Sequence, residues 1–347
     1  MPQHPKPEDG VDELDVALLD ALHANPRASF ERLGPAVGIS PVTAARRWQR
    51  LADSGRAWVS SVPGPASALV VAVYEVRAEP GRLLETGRAL AAIPQVGSVY
   101  FTDGVFDIHA LAFAADMRTL TALLLERLPQ VSGVAAAQAH IGLRWHSDVQ
   151  WHLGAIDSSQ QQSVVDDTGD SRRATRSLTF DPDDRALFLA LQRDGRARYR
   201  DLARELATSE YLVKRRLGSL VRRGMMSFRT DFARAEGGWA AELVLWLCVP
   251  HRELRQVGDE IGQWPQTRIC MSTIGAANLM VMSQGHQITA LTEILDRVHR
   301  TFPAATVADQ RLVLRPCKSW GRLLDTAGHA TDVVPVDLWA PIAEPSG

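Results

Sequence analysis

Residues 15–55, DVALLDALHANPRASFERLGPAVGISPVTAARRWQRLADSG, lie without a gap over residues 184–224, DRALFLALQRDGRARYRDLARELATSEYLVKRRLGSLVRRG, at an offset of 169. Leu18 falls on Leu187, Leu22 on Leu191, Arg27-Ala28 on Arg196-Ala197, Leu33 on Leu202, Ser40 on Ser209, Arg46-Arg47 on Arg215-Arg216 and Leu51 on Leu220. A gapless register of this length marks an internal duplication, so each element of one copy predicts a partner in the other. The repeat resumes where Thr102-Asp103-Gly104-Val105-Phe106-Asp107 falls over Thr273-Ile274-Gly275-Ala276-Ala277-Asn278, at an offset of 171.

In the first copy Leu14, Leu18 and Leu22 recur every fourth residue, the spacing of one apolar helix stripe, and Asn25-Pro26 ends the helix. A second short helix is predicted from Ser29, with Phe30, Leu33 and Val37 on one side, before a tight turn at Gly38. Ser40 is a good N-cap and Pro41 suits the first position of a third helix, whose Ala44, Trp48 and Leu51 point inward. Thr43, Arg46, Arg47 and Arg50 then share another face. The second copy repeats the scheme, with Ser209 as cap, Val213, Leu217 and Leu220 inward, and Tyr211, Lys214, Arg215, Arg216 and Arg222 at or beside the outward face.

Three short helices with a turn between the second and third make a helix-turn-helix, whose last helix enters the major groove of double-stranded DNA. Arginine reads guanine bidentately, and both arginine and lysine hold phosphate. Ser40, Pro41, Thr43, Arg46, Arg47, Arg50, Ser209, Tyr211, Lys214, Arg215, Arg216 and Arg222 are therefore the candidate DNA contacts. The copies differ in charge: residues 12–60 hold six arginines against six acids, whereas residues 181–231 hold twelve basic against eight acidic residues. Phosphate neutralisation supplies most sequence-independent affinity, so the second copy is expected to bind DNA more strongly, and the neutral first copy could serve instead as a protein-interaction module.

After each helix-turn-helix comes a β-α-β-β-α-β pattern. In the first copy it reads as a strand over 68–76, a helix after Pro80-Gly81, strands over 96–101 and 106–113 joined at Asp103-Gly104, a helix over 120–128 and a strand over 134–143. The second copy offers strands and helices over 241–249, 252–264, 267–273, 278–283, 288–301 and 305–314 in the same order. The expected fold class is α+β: two winged or helix-turn-helix three-helix domains alternating with two ferredoxin-like αβ-sandwich domains. Such a sheet carries helices on one face and leaves the other to be covered by a second sheet, within or between chains.

The predicted organisation is a disordered N-terminus (1–10), helix-turn-helix domains at 11–61 and 179–231, ferredoxin-like domains at 66–151 and 239–325, a polar linker at 152–178 and a C-terminal tail at 326–347. Bulk composition, 46% hydrophobic and 22% charged over 347 residues, is that of globular domains, and a net charge of -2 excludes a surface that coats nucleic acid everywhere. The polar N-terminus lacks a secretory pattern and nowhere do about 18 apolar residues run together, so a cytoplasmic, nucleoid-associated protein without a membrane partner is expected. Cys248, Cys270 and Cys317 have no metal-ligand spacing and read as isolated thiols, and neither a metal nor a cofactor is expected. Trp48, Trp58, Trp239, Trp264 and Trp320 are assigned to cores.

The opening VDELDVALLDALHANPRASFERLGPAVGIS, followed by a β-α-β-β-α-β unit with Gly-Val-Phe-Asp in its middle hairpin, resembles the Lrp/AsnC family of leucine-responsive regulatory proteins, here in tandem. The resemblance implies DNA binding by the first domain, and assembly and amino-acid sensing by the second, with self-association to a dimer or higher. It places effector contacts at Gly104, Phe106, Asp107, Gly275 and Asn278, although Asn278 replaces the hairpin aspartate and Thr208-Ser209-Glu210 replaces Ile-Ser-Pro in the second copy. Sirohaem decarboxylases are similar in architecture and act through His and Arg, which keeps an enzyme as the alternative through His109 and His140. The hairpins read TDGVFDIHAL and TIGAANLMVM, without the Trp-Pro-Tyr-Asn-like stretch of those enzymes, and no Ser/His/Asp set stands out by spacing.

Overall fold

The computed structural model describes residues 10–147, 153–165 and 179–342, so most of the predicted disordered N-terminus and half of the predicted linker lie outside the described residues. The first copy runs α1 (Glu13–Ala24), α2 (Phe30–Ala36), α3 (Pro41–Asp53), β1 (Ala57–Pro63), β2 (Val70–Ala78), α4 (Leu83–Ala91), β3 (Val96–Thr102), β4 (Ile108–Ala114), α5 (Met117–Ala122) and β5 (Val134–Trp145). After α6 (Ser158–Val164) the second runs α7 (Pro182–Arg193), α8 (Tyr199–Glu205), α9 (Glu210–Arg222), β6 (Met226–Phe232), β7 (Ala241–Cys248), α10 (Leu254–Ile261), β8 (Thr267–Thr273), β9 (Leu279–Gly285), α11 (Ile288–Thr301) and β10 (Thr306–Ser319). A hairpin of β11 (Arg322–Leu324) and β12 (Ala330–Val333) follows.

The local signals act as expected. Ser40 Oγ accepts from Thr43 N at 3.1 Å and Ser209 Oγ from Leu212 N at 3.2 Å, capping the third helix of each copy. Gly38 turns with φ +75°, and Ala207, its counterpart, takes the same left-handed turn at φ +50°, a conformation that costs a residue with a Cβ about 1–2 kcal/mol.

Along β2, Val71, Val73 and Glu75 face one way, while Ala72, Tyr74 and Val76 face the helices of their own copy. Each half has the strand order expected of its β-α-β-β-α-β unit, but the two sheets are not separate layers. Antiparallel pairs β5–β8 and β10–β3 join them edge to edge, and β10–β7 closes the ring. The uncovered face of each sheet thus becomes the inside of one barrel shared by both copies, with no exposed edge between them. The long strands make this possible: β10 pairs with β7 through Leu312 and with β3 from Val313, and β5 pairs with β2 through Ile141 and with β8 from Gly142.

The two helix-turn-helix units also pair. Strands β1 and β6, which sequence periodicity did not announce, form an antiparallel ribbon between the copies. Arg196 donates to Pro26 O (2.7 Å) and Ala28 O (2.8 Å) and lies over Phe30 and Trp48. Arg27 reciprocates on Gly195 O and Ala197 O and lies over Tyr199 and Phe228. The Arg-Ala pair that marks the repeat is thus a reciprocal clamp. Burial, with Arg27 nearby, lowers the Arg196 pKa to about 10.

Three predicted segments need correction. The linker expected at 152–178 is ordered over 153–165, because buried Asp20 accepts from the N–H groups of Leu153, Ala155 and Ile156, while Asn25 and Gln160 bond Val164 O and Ala36 O. The tail expected at 326–347 folds back as far as it is described. Val336 and Leu338 are buried, Gln192 bonds the Val336 backbone twice, and Trp339 packs on Phe180 and Phe188. The predicted single helix over 120–128 is α5 continued by one π turn (Leu123–Arg127) and one 3-10 turn (Leu128–Gln130). Four of the five tryptophans assigned to cores are buried; Trp239 is partly exposed and packs against Phe232.

His23 is fully buried, with Nδ1 at 2.7 Å from Leu19 O, and burial lowers its pKa to about 4. The unfolded chain binds the proton near pH 6.5, so stability present above that pH is lost as pH falls toward 4. We expect about 2 kcal/mol less stability at pH 5 than at pH 7 in urea unfolding. His23→Gln should flatten this slope, and an unchanged slope would refute the assignment.

Candidate nucleic-acid interface and regulatory barrel

The third helix of each copy presents its N-terminal turn outward. Val42 (78% exposed) and Tyr211 (70% exposed) occupy the same register in α3 and α9. Large apolar side chains left in water at the tip of both helices suit contact with base edges, thymine methyls in particular. Tyr211 is among the candidates the sequence offers, and Val42, its apolar counterpart, is not.

The arginines divide into two groups. Arg47 bonds Asp12 (2.8 Å) and Asp15 (2.9 Å), and Arg50 bonds Asp15 and Gly10 O, so both staple α3 to the start of α1. Arg216, the counterpart of Arg47, bonds Asp181 (2.9 Å), Asp183 (2.9 Å) and Asp184 (2.7 Å) in the same way. Arg46, Lys214, Arg215, Arg222 and Arg223 are exposed, and none has a carboxylate partner among the described residues; Arg215 lies over the Tyr211 ring at 5.8 Å. Ser40 and Ser209 are exposed caps, and Thr43 Oγ1 is 2.8 Å from Ser40 Oγ. The free cations are thus one on α3 and four on or just after α9.

Inside the barrel the copies contribute unlike residues at matched positions. Glu75 (1% exposed) meets its counterpart Trp246, whose indole donates to Oε1 at 3.1 Å, and Arg311 donates to the same oxygen at 2.6 Å. Gln138 and His140, the latter the counterpart of Arg311, reach Oε2 at 2.6 and 3.2 Å. His109, fully buried, lies 3.6 Å from Oε1, and neither ring nitrogen has a hydrogen-bond partner. Burial alone pushes the Glu75 carboxyl up, but His109, His140 and Arg311 outweigh it and hold it well below the usual carboxylate range.

The predicted effector hairpins lie against this cluster. Gly104 and Gly275 take positive φ, Phe106 lies under the Arg311 guanidinium at 5.6 Å, and Gly275 faces His140. Asp107 accepts from Ala78 N at 2.9 Å, and Asn278 exchanges two hydrogen bonds with the Val249 backbone. The fold also assembles a set that spacing concealed: Asp259 Oδ1 is 2.7 Å from His146 Nδ1, and His146 Nε2 is 2.5 Å from Ser272 Oγ. Ser272 is 5% exposed between helix and sheet, so this chain ties α10 to the end of β5 rather than presenting a nucleophile. Among the described residues no cluster of His, Cys, Asp and Glu is placed to hold a metal, and no helix is long and apolar enough to cross a membrane.

Comparison with known proteins follows the same division. The AsnC-type helix-turn-helix domain matches residues 11–52, and the Lrp/AsnC ligand binding domain matches residues 71–148. The HTH-type transcriptional regulator Ptr1 of Methanocaldococcus jannaschii is 28% identical over 141 residues, 40% of this chain and 95% of its own. The leucine-responsive regulatory protein of Haemophilus influenzae is 30% identical over 131 residues, 35% of this chain and 79% of its own. The crystal structure of the siroheme decarboxylase NirDL aligns over 89% of this chain and 93% of that one, with a TM-score of 0.57 and 15% identity, and so shares the fold through both copies. A helix-turn-helix and a ligand-binding unit matched in order, with a relative 30% identical over most of its own length, show that the chain belongs to the Lrp/AsnC family.

Proposed function

We propose that the chain is a sequence-specific, DNA-binding transcriptional regulator in which one polypeptide supplies both halves of a dimer-like unit. An amino acid or related small effector at the regulatory-domain interface modulates it. Each half is read as a ferredoxin-like unit whose open face is covered by the other, so the barrel needs no second chain; self-association would array further helix-turn-helix pairs along DNA. The observation that carries the reading is the face of α9, where Lys214, Arg215 and Arg222 stand free of carboxylates beside exposed Tyr211.

The enzymatic alternative has the tandem fold and the barrel histidines in its favour. Against it, His109 is fully buried and His140, partly exposed, is engaged with Glu75. Titration of the full chain with the duplex upstream of its own gene, across a salt series and against an unrelated duplex, tests the proposal. A preference of about a thousandfold or more is expected. No duplex binding even at low salt would end it.

A further inference from the structure

The two helix-turn-helix units are held as a fixed pair about a local twofold axis. In the β1–β6 ribbon Ser60 lies opposite Arg229, its own counterpart in the repeat, and the register runs symmetrically from there to Ala57 opposite Phe232 and Pro63 opposite Met226. Each unit also carries a brace that the other lacks. Asp20 of the first accepts from Leu153 N and Ala155 N, at 2.8 Å each, where the second has Leu189. Gln192 of the second bonds the Val336 backbone at 2.9 and 2.6 Å, where the first has His23 bonded within its own helix. The pair is therefore built from unlike units in a set order, with the geometry of a dimer.

A helix-turn-helix dimer reads a palindrome because its twofold axis gives both recognition helices the same side chains. Here the axis is present and the equivalence is gone. Val42, 78% exposed, stands where α9 has Tyr211, half-buried Ala45 where it has exposed Lys214, and exposed Asp53 where it has Arg222. Gln49 donates to Asp53 Oδ1 at 2.6 Å, so the end of α3 keeps a carboxylate that repels phosphate where α9 ends on a cation that attracts it. Arg46 and Arg215 match, and both are exposed without a carboxylate partner among the described residues. We propose that one chain reads an asymmetric operator made of two unlike half-sites, inverted about the ribbon axis. The second half carries guanines under Lys214 and Arg215, and the first carries one guanine under Arg46 beside a thymine whose methyl meets Val42. This deepens the regulator reading and rests on it. Its consequence is a single orientation on DNA, so that one particular half of the chain always faces the neighbouring gene.

The test is selection of bound sequences from a randomised duplex pool by the full chain. Anisotropy then follows on the selected site, shortened until sedimentation gives one chain per duplex. The two halves should differ, and both palindromes made from them should bind more weakly than the mixed site, by about tenfold with the second half duplicated and about a hundredfold with the first. Val42→Tyr combined with Ala45→Lys gives α3 the outward face of α9, at positions that are exposed and half-buried. That variant should bind the duplicated second half at least as tightly as the mixed site. A palindromic selected site, a first half that can be scrambled without loss, or an unchanged preference in the double variant overturns the proposal and keeps the regulator reading. Selection that enriches no sequence ends both.

Discussion

The triple variant Lys214→Ala, Arg215→Ala, Arg222→Ala is expected to bind its duplex on the order of a hundredfold more weakly than the unchanged chain, whereas Arg46→Ala costs under about tenfold. Each free cation that meets phosphate or base supplies about 1 kcal/mol or more, and each phosphate contact adds about 0.9 to the slope of log K against log salt. The slope should therefore fall by up to about 2.7 in the triple variant. Arg216 and Arg47 are left out because both are spent on carboxylates of the first helix of their own unit. Replacing either should lower the unfolding midpoint before it touches DNA affinity. Fluorescence anisotropy at three salt concentrations checks this, and an equal or greater loss in Arg46→Ala would sink the idea of a dominant second copy.

Glu75→Ala is expected to destabilise the chain by about 3 kcal/mol, because it leaves the Arg311 guanidinium, 4% exposed, with Asp309 alone as its carboxylate partner among the described residues and takes the acceptor from Gln138 and Trp246. Glu75→Leu with Arg311→Met removes both charges and should recover much of that loss. Urea unfolding of the two variants decides the point. A loss under about 1 kcal/mol for Glu75→Ala, or no recovery in the double variant, would show that the cluster does not hold the halves together. The same residues explain why unlike copies pair. Two first copies would set Glu75 against Glu75, and two second copies Trp246 against Trp246; only the unlike pair lets the carboxylate accept from an indole and a guanidinium.

The chain's own order of residues determined the duplication, the three-helix units with Ser40 and Ser209 as caps, and nearly every strand and helix of the barrel. These depend on neighbours within a few positions: apolar spacing along a helix, alternation along a strand, a hydroxyl before the first turn. Tertiary structure alone decided which side chains remain free to act. Arg46 and Arg47 are adjacent and read alike, yet one faces water and the other is tied to Asp12 and Asp15. The β1–β6 ribbon, the Arg27–Arg196 clamp, the 153–165 strap and the returning residues 334–339 escaped prediction for one reason. Their partners lie more than a hundred residues away, and a contact between distant segments leaves no period in either.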